Sequence, residues 1–232
     1  KTMITITRIS IRMQVLKNKI SEETLDIFRQ HYDKYSNTEI MDVNLHGIDT
    51  RTNIIEGHTA FDEIRKITNT HFPSDAHLYA NYQRQTNPTF MHVDEWGRDR
   101  KQPTHTIIIP MHQDKRLGVA IFKEMFNSNA DFKDFLMNFP YDEKQKLTNV
   151  SERYKLGHTP TNYKNGDFLV DFLELEGVFE YNLGDYVLFD TNKLHVSTDF
   201  RPFSEYKFKD LVQIHIGKQN TENDSETPFV SF

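Results

Sequence analysis

Two kinds of hydrophobic spacing divide this chain. The first is helical. Leu25, Phe28 and Tyr32 recur at helical intervals behind Ser21-Glu22-Glu23-Thr24, where Ser21 can cap and the acidic first turn suits the helix dipole, so a helix is predicted over about 21–35. Phe61, Ile64 and Ile67 form one stripe of a second amphipathic helix over 60–70, which Phe72-Pro73-Ser74-Asp75 ends. Before these, 3–15 reads as an edge strand or arm. Residues 40–58, between the helices, read as loop with a short strand.

From His77 the pattern turns to alternation and to short β-branched runs. Strands are predicted over 77–83 and 89–93, with a Thr86-Asn87-Pro88 turn between them, and over 104–111 and 117–122. Residues 127–155 lose the alternation and read as one or two short helices within an insertion spanning about 123–165. After the Asn165-Gly166-Asp167 turn come strands at 168–173, 178–181 and 186–189, with Leu183-Gly184-Asp185 turning between the last two. A final strand covers 207–216, and 218–232 is a polar tail. Many short strands separated by turn signals predict a mainly β sandwich or barrel with flanking helices.

Composition narrows the class. The 232 residues suit one large or two small domains, with 18 Phe and 10 Tyr as core material. The absence of cysteine excludes a disulfide scaffold and a thiolate metal site. A net charge of −6 disfavours a broad nucleic-acid surface, and no stretch approaches a membrane span. No leader pattern opens the chain, and the expected compartment is the reducing cytoplasm. The sequence starts at Lys1 rather than at methionine, as a trimmed or partial chain would.

The candidate chemistry lies in Met91-His92-Val93-Asp94-Glu95. Residues i and i+2 of an extended strand share a face, so the His92 imidazole and the Asp94 carboxylate project together. His195, which follows the apolar run after Gly184-Asp185, supplies a second imidazole. Two histidines and a carboxylate form the facial triad of non-haem Fe(II) sites. Read without a metal, His92 is a strand-end histidine bonded to a carboxylate, and His195 is a turn histidine after Asn192-Lys193. Of the others, His105 and His112 flank one strand on opposite faces, and His158 falls in the insertion.

In this order, His92-x-Asp94, a β-rich stretch, Gly184-Asp185 leading to His195, and then a basic residue opening a further strand, the chain resembles the Fe(II)/2-oxoglutarate-dependent dioxygenases, in particular small stand-alone hydroxylases of the prolyl-hydroxylase and phytanoyl-CoA-hydroxylase kind. The resemblance covers 77–217. It implies a double-stranded β-helix, or jelly roll, in a single oxygenase-like domain, with 1–76 packing on the core. It also implies iron at His92, Asp94 and His195, and 2-oxoglutarate as cosubstrate, oxidised with O2 to succinate and CO2 as an unidentified primary substrate is hydroxylated. The family's cation for the far carboxylate falls on Lys209, with Lys207 and Arg201 as alternatives. Tyr79 and Asn81 on the preceding strand, and His215 on the last strand, are the remaining cosubstrate candidates, and Trp96 and Arg98 candidates for the substrate mouth. The insertion is expected to cover that mouth. Two other readings are a cupin-like metal-binding module or isomerase and a structural jelly roll without metal. Cupins generally carry His-x-His where this chain has His-x-Asp.

Overall fold

The computed structural model describes residues 12–36, 48–86, 88–89, 91–94, 103–138, 173–198 and 207–217. They form two helices, two antiparallel sheets and a third helix, stacked in that order. The larger sheet runs β1-β7-β4-β9-β3-β2, from β1 (Gln14–Leu16), β7 (Tyr186–Asp190), β4 (His105–Pro110), β9 (Lys209–Gly217), β3 (His77–Gln85) and β2 (Ile48–Ile54). The smaller runs β6-β5-β8, from β6 (Leu175–Tyr181), β5 (Asp114–Met125) and β8 (Lys193–Ser197). Two antiparallel sheets facing each other in this way are the double-stranded β-helix that the family resemblance implies.

Both predicted helices form. In α1 (Glu22–Tyr35) the Thr24 N–H donates to the Ser21 hydroxyl at 3.1 Å, and Leu25, Phe28 and Tyr32 are buried. α2 (Thr59–Thr68) buries Phe61, Ile64 and Ile67. Both lie on the outer face of the larger sheet, against Leu78, Ala80 and Tyr82 of β3 and Val212, Ile214 and Ile216 of β9. Between the sheets, Ile108, Val187, Phe189 and Leu211 meet Val119, Ile121, Phe179 and Tyr181. α3 (Asn129–Asn138) covers the outside of the smaller sheet, where Phe132 packs with Phe122, Leu194 and Val196. The turn before β7 needs Gly184, whose φ is +86° and whose carbonyl accepts the Lys19 and Ile20 N–H groups at 2.8 and 2.9 Å.

Several boundaries differ from the sequence pattern. Of the strand expected at 89–93, the described residues 89 and 91–93 form no ladder: a single bridge joins His92 to His195. β2 is seven residues long, where mostly loop was expected, because it pairs in register with β3. β5 continues to Met125, so the first residues of the expected insertion belong to a sheet. β9 begins at Lys209, leaving Lys207 exposed ahead of it. His195 lies within β8, and the turn expected at Asn192-Lys193 is Thr191-Asn192. Part of the expected insertion forms α3; residues 3–11, the insertion from 139 onward including His158, the expected strand at 168–173 except Leu173, Trp96, Arg98, Arg201 and the tail lie outside the described residues.

Candidate metal centre

Alternation along four segments brings the site together. In 91–94, Met91 and Val93 enter the outer core while His92 and Asp94 turn inward. In β8, Leu194 and Val196 point outward, and His195 and Ser197 inward. β9 sends Val212, Ile214 and Ile216 toward the helices, and Lys209, Leu211, Gln213 and His215 into the space between the sheets. On β3, Tyr79, Gln83 and Gln85 face the same space. The result is a cavity of about 520 Å³, within the size range of small-molecule sites.

At one part of this cavity the ligand atoms of His92, Asp94 and His195 all lie within 4.8 Å of one another. His92 Nε2 is 3.8 Å from Asp94 Oδ1, and His195 Nε2 is 3.8 Å from Asp94 Oδ2. His195 Nδ1 lies 3.0 Å from the Lys193 carbonyl, a contact that needs a proton on Nδ1 and leaves the Nε2 lone pair for a metal. Two imidazoles and one carboxylate suit a divalent first-row cation with coordination positions left over. The residues present therefore fit the metal that the resemblance implies.

Asp94 is held from behind. The Thr106 hydroxyl donates to Oδ2 at 2.7 Å, and Gln213 Nε2 donates to Oδ1 at 3.2 Å. Burial alone would raise this carboxyl; the nearby imidazoles of His195, His215 and His92 and the Thr106 hydroxyl outweigh it and hold it at about 2. Gln213 continues a string of amides: Gln85 Nε2 donates to Gln83 Oε1 at 3.2 Å, Gln83 Nε2 to Gln213 Oε1, and Gln213 to Asp94. The segment carrying His92 and Asp94 is held in turn by main-chain bonds. His92 and His195 exchange N–H···O bonds of 3.0 and 2.9 Å, and the Asp94 N–H donates to the Thr191 carbonyl at 3.1 Å.

Of the candidates for the cosubstrate, Lys209, Tyr79 and His215 line the cavity. Lys209 is buried, its Nζ 5.3 Å from the centre of the Tyr181 ring, and burial lowers its pKa to about 7. The Tyr79 hydroxyl donates to Asn53 Oδ1 at 3.0 Å, and its ring stacks on His215 at 6.1 Å. His215 Nδ1 is 3.3 Å from the Thr106 hydroxyl and 3.9 Å from Asp94 Oδ2; burial lowers the pKa of its ring against the pull of Asp94. Asn81 is buried beside them on β3, with neither side-chain polar atom paired among the described residues, and does not line the cavity. Nor does Lys207, which is exposed. His105 rests on Phe72 and His112 lies 4.0 Å from Asp210, both away from the cavity.

Sequence reasoning missed Thr106, Arg51, Asn129 and the role of the glutamines. Gln83 and Gln213 were legible in part, since each alternates with a candidate residue on its strand. Thr106 carried the weaker signal of one polar position before an apolar run. Arg51 lay in a segment without clear period, and nothing in the sequence marks Asn129.

The fold is one that solved 2-oxoglutarate-dependent oxygenases share. Among solved structures the chain is similar to SnoK, an alpha-ketoglutarate-dependent carbocyclase from nogalamycin biosynthesis, at 11% identity over 90% of this chain and 80% of that one, TM-score 0.56. A prolyl-4-hydroxylase from Pseudomonas putida aligns at 7% identity over 90% and 93% of the two chains, TM-score 0.52. HygX from Streptomyces hygroscopicus, bound to nickel, 2-oxoglutarate and hygromycin B, aligns at 14% identity over 94% and 88%, TM-score 0.51. No protein-family profile matches the chain, and no curated protein sequence does. Among the described residues no helix is long and apolar enough to cross a membrane.

Proposed function

We propose that this chain is an Fe(II)- and 2-oxoglutarate-dependent dioxygenase that hydroxylates a primary substrate. The observation that carries this reading is the meeting of His92, Asp94 and His195 in the cavity that also contains buried Lys209. His92, Asp94 and His195 would hold the metal, which supplies O2 activation when bound. Thr106 and Gln213 orient the Asp94 carboxylate as a ligand, and the neighbouring imidazoles with the Thr106 hydroxyl keep it ionised.

Lys209 meets the far carboxylate of 2-oxoglutarate. An isolated carboxylate in such a pocket is strongly unfavourable, and the same holds for the isolated ammonium, so each offsets the desolvation of the other. Ile108, Val119, Leu211 and Tyr181 give the cavity an apolar lining that would limit water around this pair. The overall balance is substrate C–H plus 2-oxoglutarate plus O2 giving substrate C–OH, succinate and CO2. A carboxylate in the third ligand place favours this reading over the cupin alternative, which expects a further imidazole.

Anaerobic titration of the Fe(II)-loaded protein with 2-oxoglutarate, following the visible charge-transfer band of the chelate, tests the reading. A saturable band, absent from His195→Ala, is expected. No band with a fully metal-loaded protein rejects it.

A further inference from the structure

We infer that Arg51 is the recognition residue for the primary substrate, and that this substrate carries an anionic group, a carboxylate or a phosphate, presented at the β2 side of the cavity. The inference rests on the oxygenase reading above and extends it to the chemical class of the substrate. Arg51 stands near the middle of β2, paired in register with Gln83, and its side chain lines the cavity. It is half-buried on an edge strand, whereas Lys209 is fully buried on an interior strand. Arg51 Nε is buried and has no hydrogen-bond partner among the described residues, which is costly for a guanidinium unless a ligand completes it.

Charge balance points the same way. Among the described residues that line the cavity, Asp94 is the only carboxylate, against the cations Lys209 and Arg51. A divalent metal, Lys209 and Arg51 bring four positive charges; Asp94 and doubly charged 2-oxoglutarate bring three negative ones. One positive charge is left over in a partly dry cavity, and the cation at the more open side is the one not matched. The guanidinium fork meets planar carboxylates and phosphates through two parallel hydrogen bonds, so an anion of either kind fits it.

The test uses Mn(II)-loaded protein saturated with 2-oxoglutarate, so that metal and Lys209 are both occupied. Benzoate and inorganic phosphate are titrated separately by calorimetry into the parent, Arg51→Gln and Arg51→Lys, with melting curves as a fold control. The expected result is that one of the two anions binds the parent and shows which group is preferred. Arg51→Gln should weaken it at least tenfold, Arg51→Lys should retain part of it, and 2-oxoglutarate affinity should stay within twofold. Equal anion binding in parent and Arg51→Gln overturns the inference, as does failure of both anions to bind the parent. Loss of 2-oxoglutarate binding in Arg51→Gln also overturns it, because Arg51 would then be serving the cosubstrate. If 2-oxoglutarate does not bind the parent at all, the oxygenase reading fails by itself. The same anion titration on that protein then supports the Arg51 site if binding is lost in Arg51→Gln and kept in Lys209→Met, and overturns it otherwise.

Discussion

Asn129 holds Val93 by both of its main-chain polar groups: the Val93 N–H donates to Asn129 Oδ1 at 3.0 Å, and Asn129 Nδ2 donates to the Val93 carbonyl at 3.0 Å. Val93 lies between the ligands His92 and Asp94, in a segment joined to the sheet by one bridge. The carboxamide of the first residue of α3 thus stands in for a neighbouring strand. Asn129→Ala is expected to weaken metal binding about 10- to 100-fold, as losses of supporting contacts around metal ligands do. Competition with a chelating dye measures this. A drop in melting temperature with unchanged metal affinity would reduce Asn129 to a purely structural role.

The ligand assignment makes a sharper demand. His92→Ala, Asp94→Ala and His195→Ala should each remove most bound metal while circular dichroism stays that of the parent, since all three ligand atoms belong to one cluster. Elemental analysis decides it, and full occupancy in His195→Ala sinks the triad.

Lys209→Ala should weaken 2-oxoglutarate by about 2–5 kcal/mol, or roughly 30-fold and upward, through the carboxylate it leaves unpaired. Lys207→Ala, altering an exposed residue outside the cavity, should leave affinity unchanged, and so should Arg201→Ala. Metal content should be intact in all three. A parental dissociation constant in Lys209→Ala rejects Lys209 as the anchor.

Lys209 also predicts a pH dependence. Its pKa is lowered from 10.5 to about 7 by burial. Between those values the unfolded chain holds a proton that the folded one has released, so this group makes stability rise with pH across that window. Below about 7 both states are protonated and the full cost of the buried charge is present. Metal-free Lys209→Met should therefore melt above the parent near pH 7, and the difference should shrink toward pH 10. A constant difference contradicts the assignment.

On the other face of β9, Asp210 accepts from Arg84 Nη2 at 2.7 Å, Arg84 Nε at 2.9 Å and the Tyr82 hydroxyl at 3.1 Å. The Arg84 guanidinium also lies against the rings of Phe208 and Tyr32, at 3.9 and 4.7 Å. Asp210→Ala is expected to cost about 2–4 kcal/mol, read from urea unfolding, because it leaves a partly buried guanidinium without its partner. This cluster anchors the alternation that turns Lys209 inward, so 2-oxoglutarate affinity should fall as well, but less than in Lys209→Ala.

What the sequence disclosed followed from period. The α1 and α2 stripes were readable because their apolar spacing and the Ser21 cap are local. The inward set on β9 was readable because Lys209, Leu211, Gln213 and His215 alternate with Val212, Ile214 and Ile216. His92, Asp94 and His195 came from family likeness joined to the same alternation. The contacts that support them did not: Asn129 is 36 residues from Val93, and Gln213 is 119 from Asp94. Their partnership depends on how two sheets and a helix close on one another, which no local spacing encodes. Residues 89–93 were misread for a related reason, since an alternating segment has the same pattern whether its partner is a strand or a side chain.

The amide string from Gln85 to Asp94 has one direction throughout, each carboxamide giving its N–H to the next oxygen. None of the three can turn alone without setting two oxygens or two N–H groups against each other, and turning all three would aim a carbonyl at the carboxylate. Gln85 is the register partner of Lys209, so the string spans from the metal-side carboxylate to the strand position of the cation. It carries no net charge and does not titrate. Its hydrogen bonds therefore link the Asp94 carboxylate to the strand position of Lys209 in a way that does not change with pH while the fold survives.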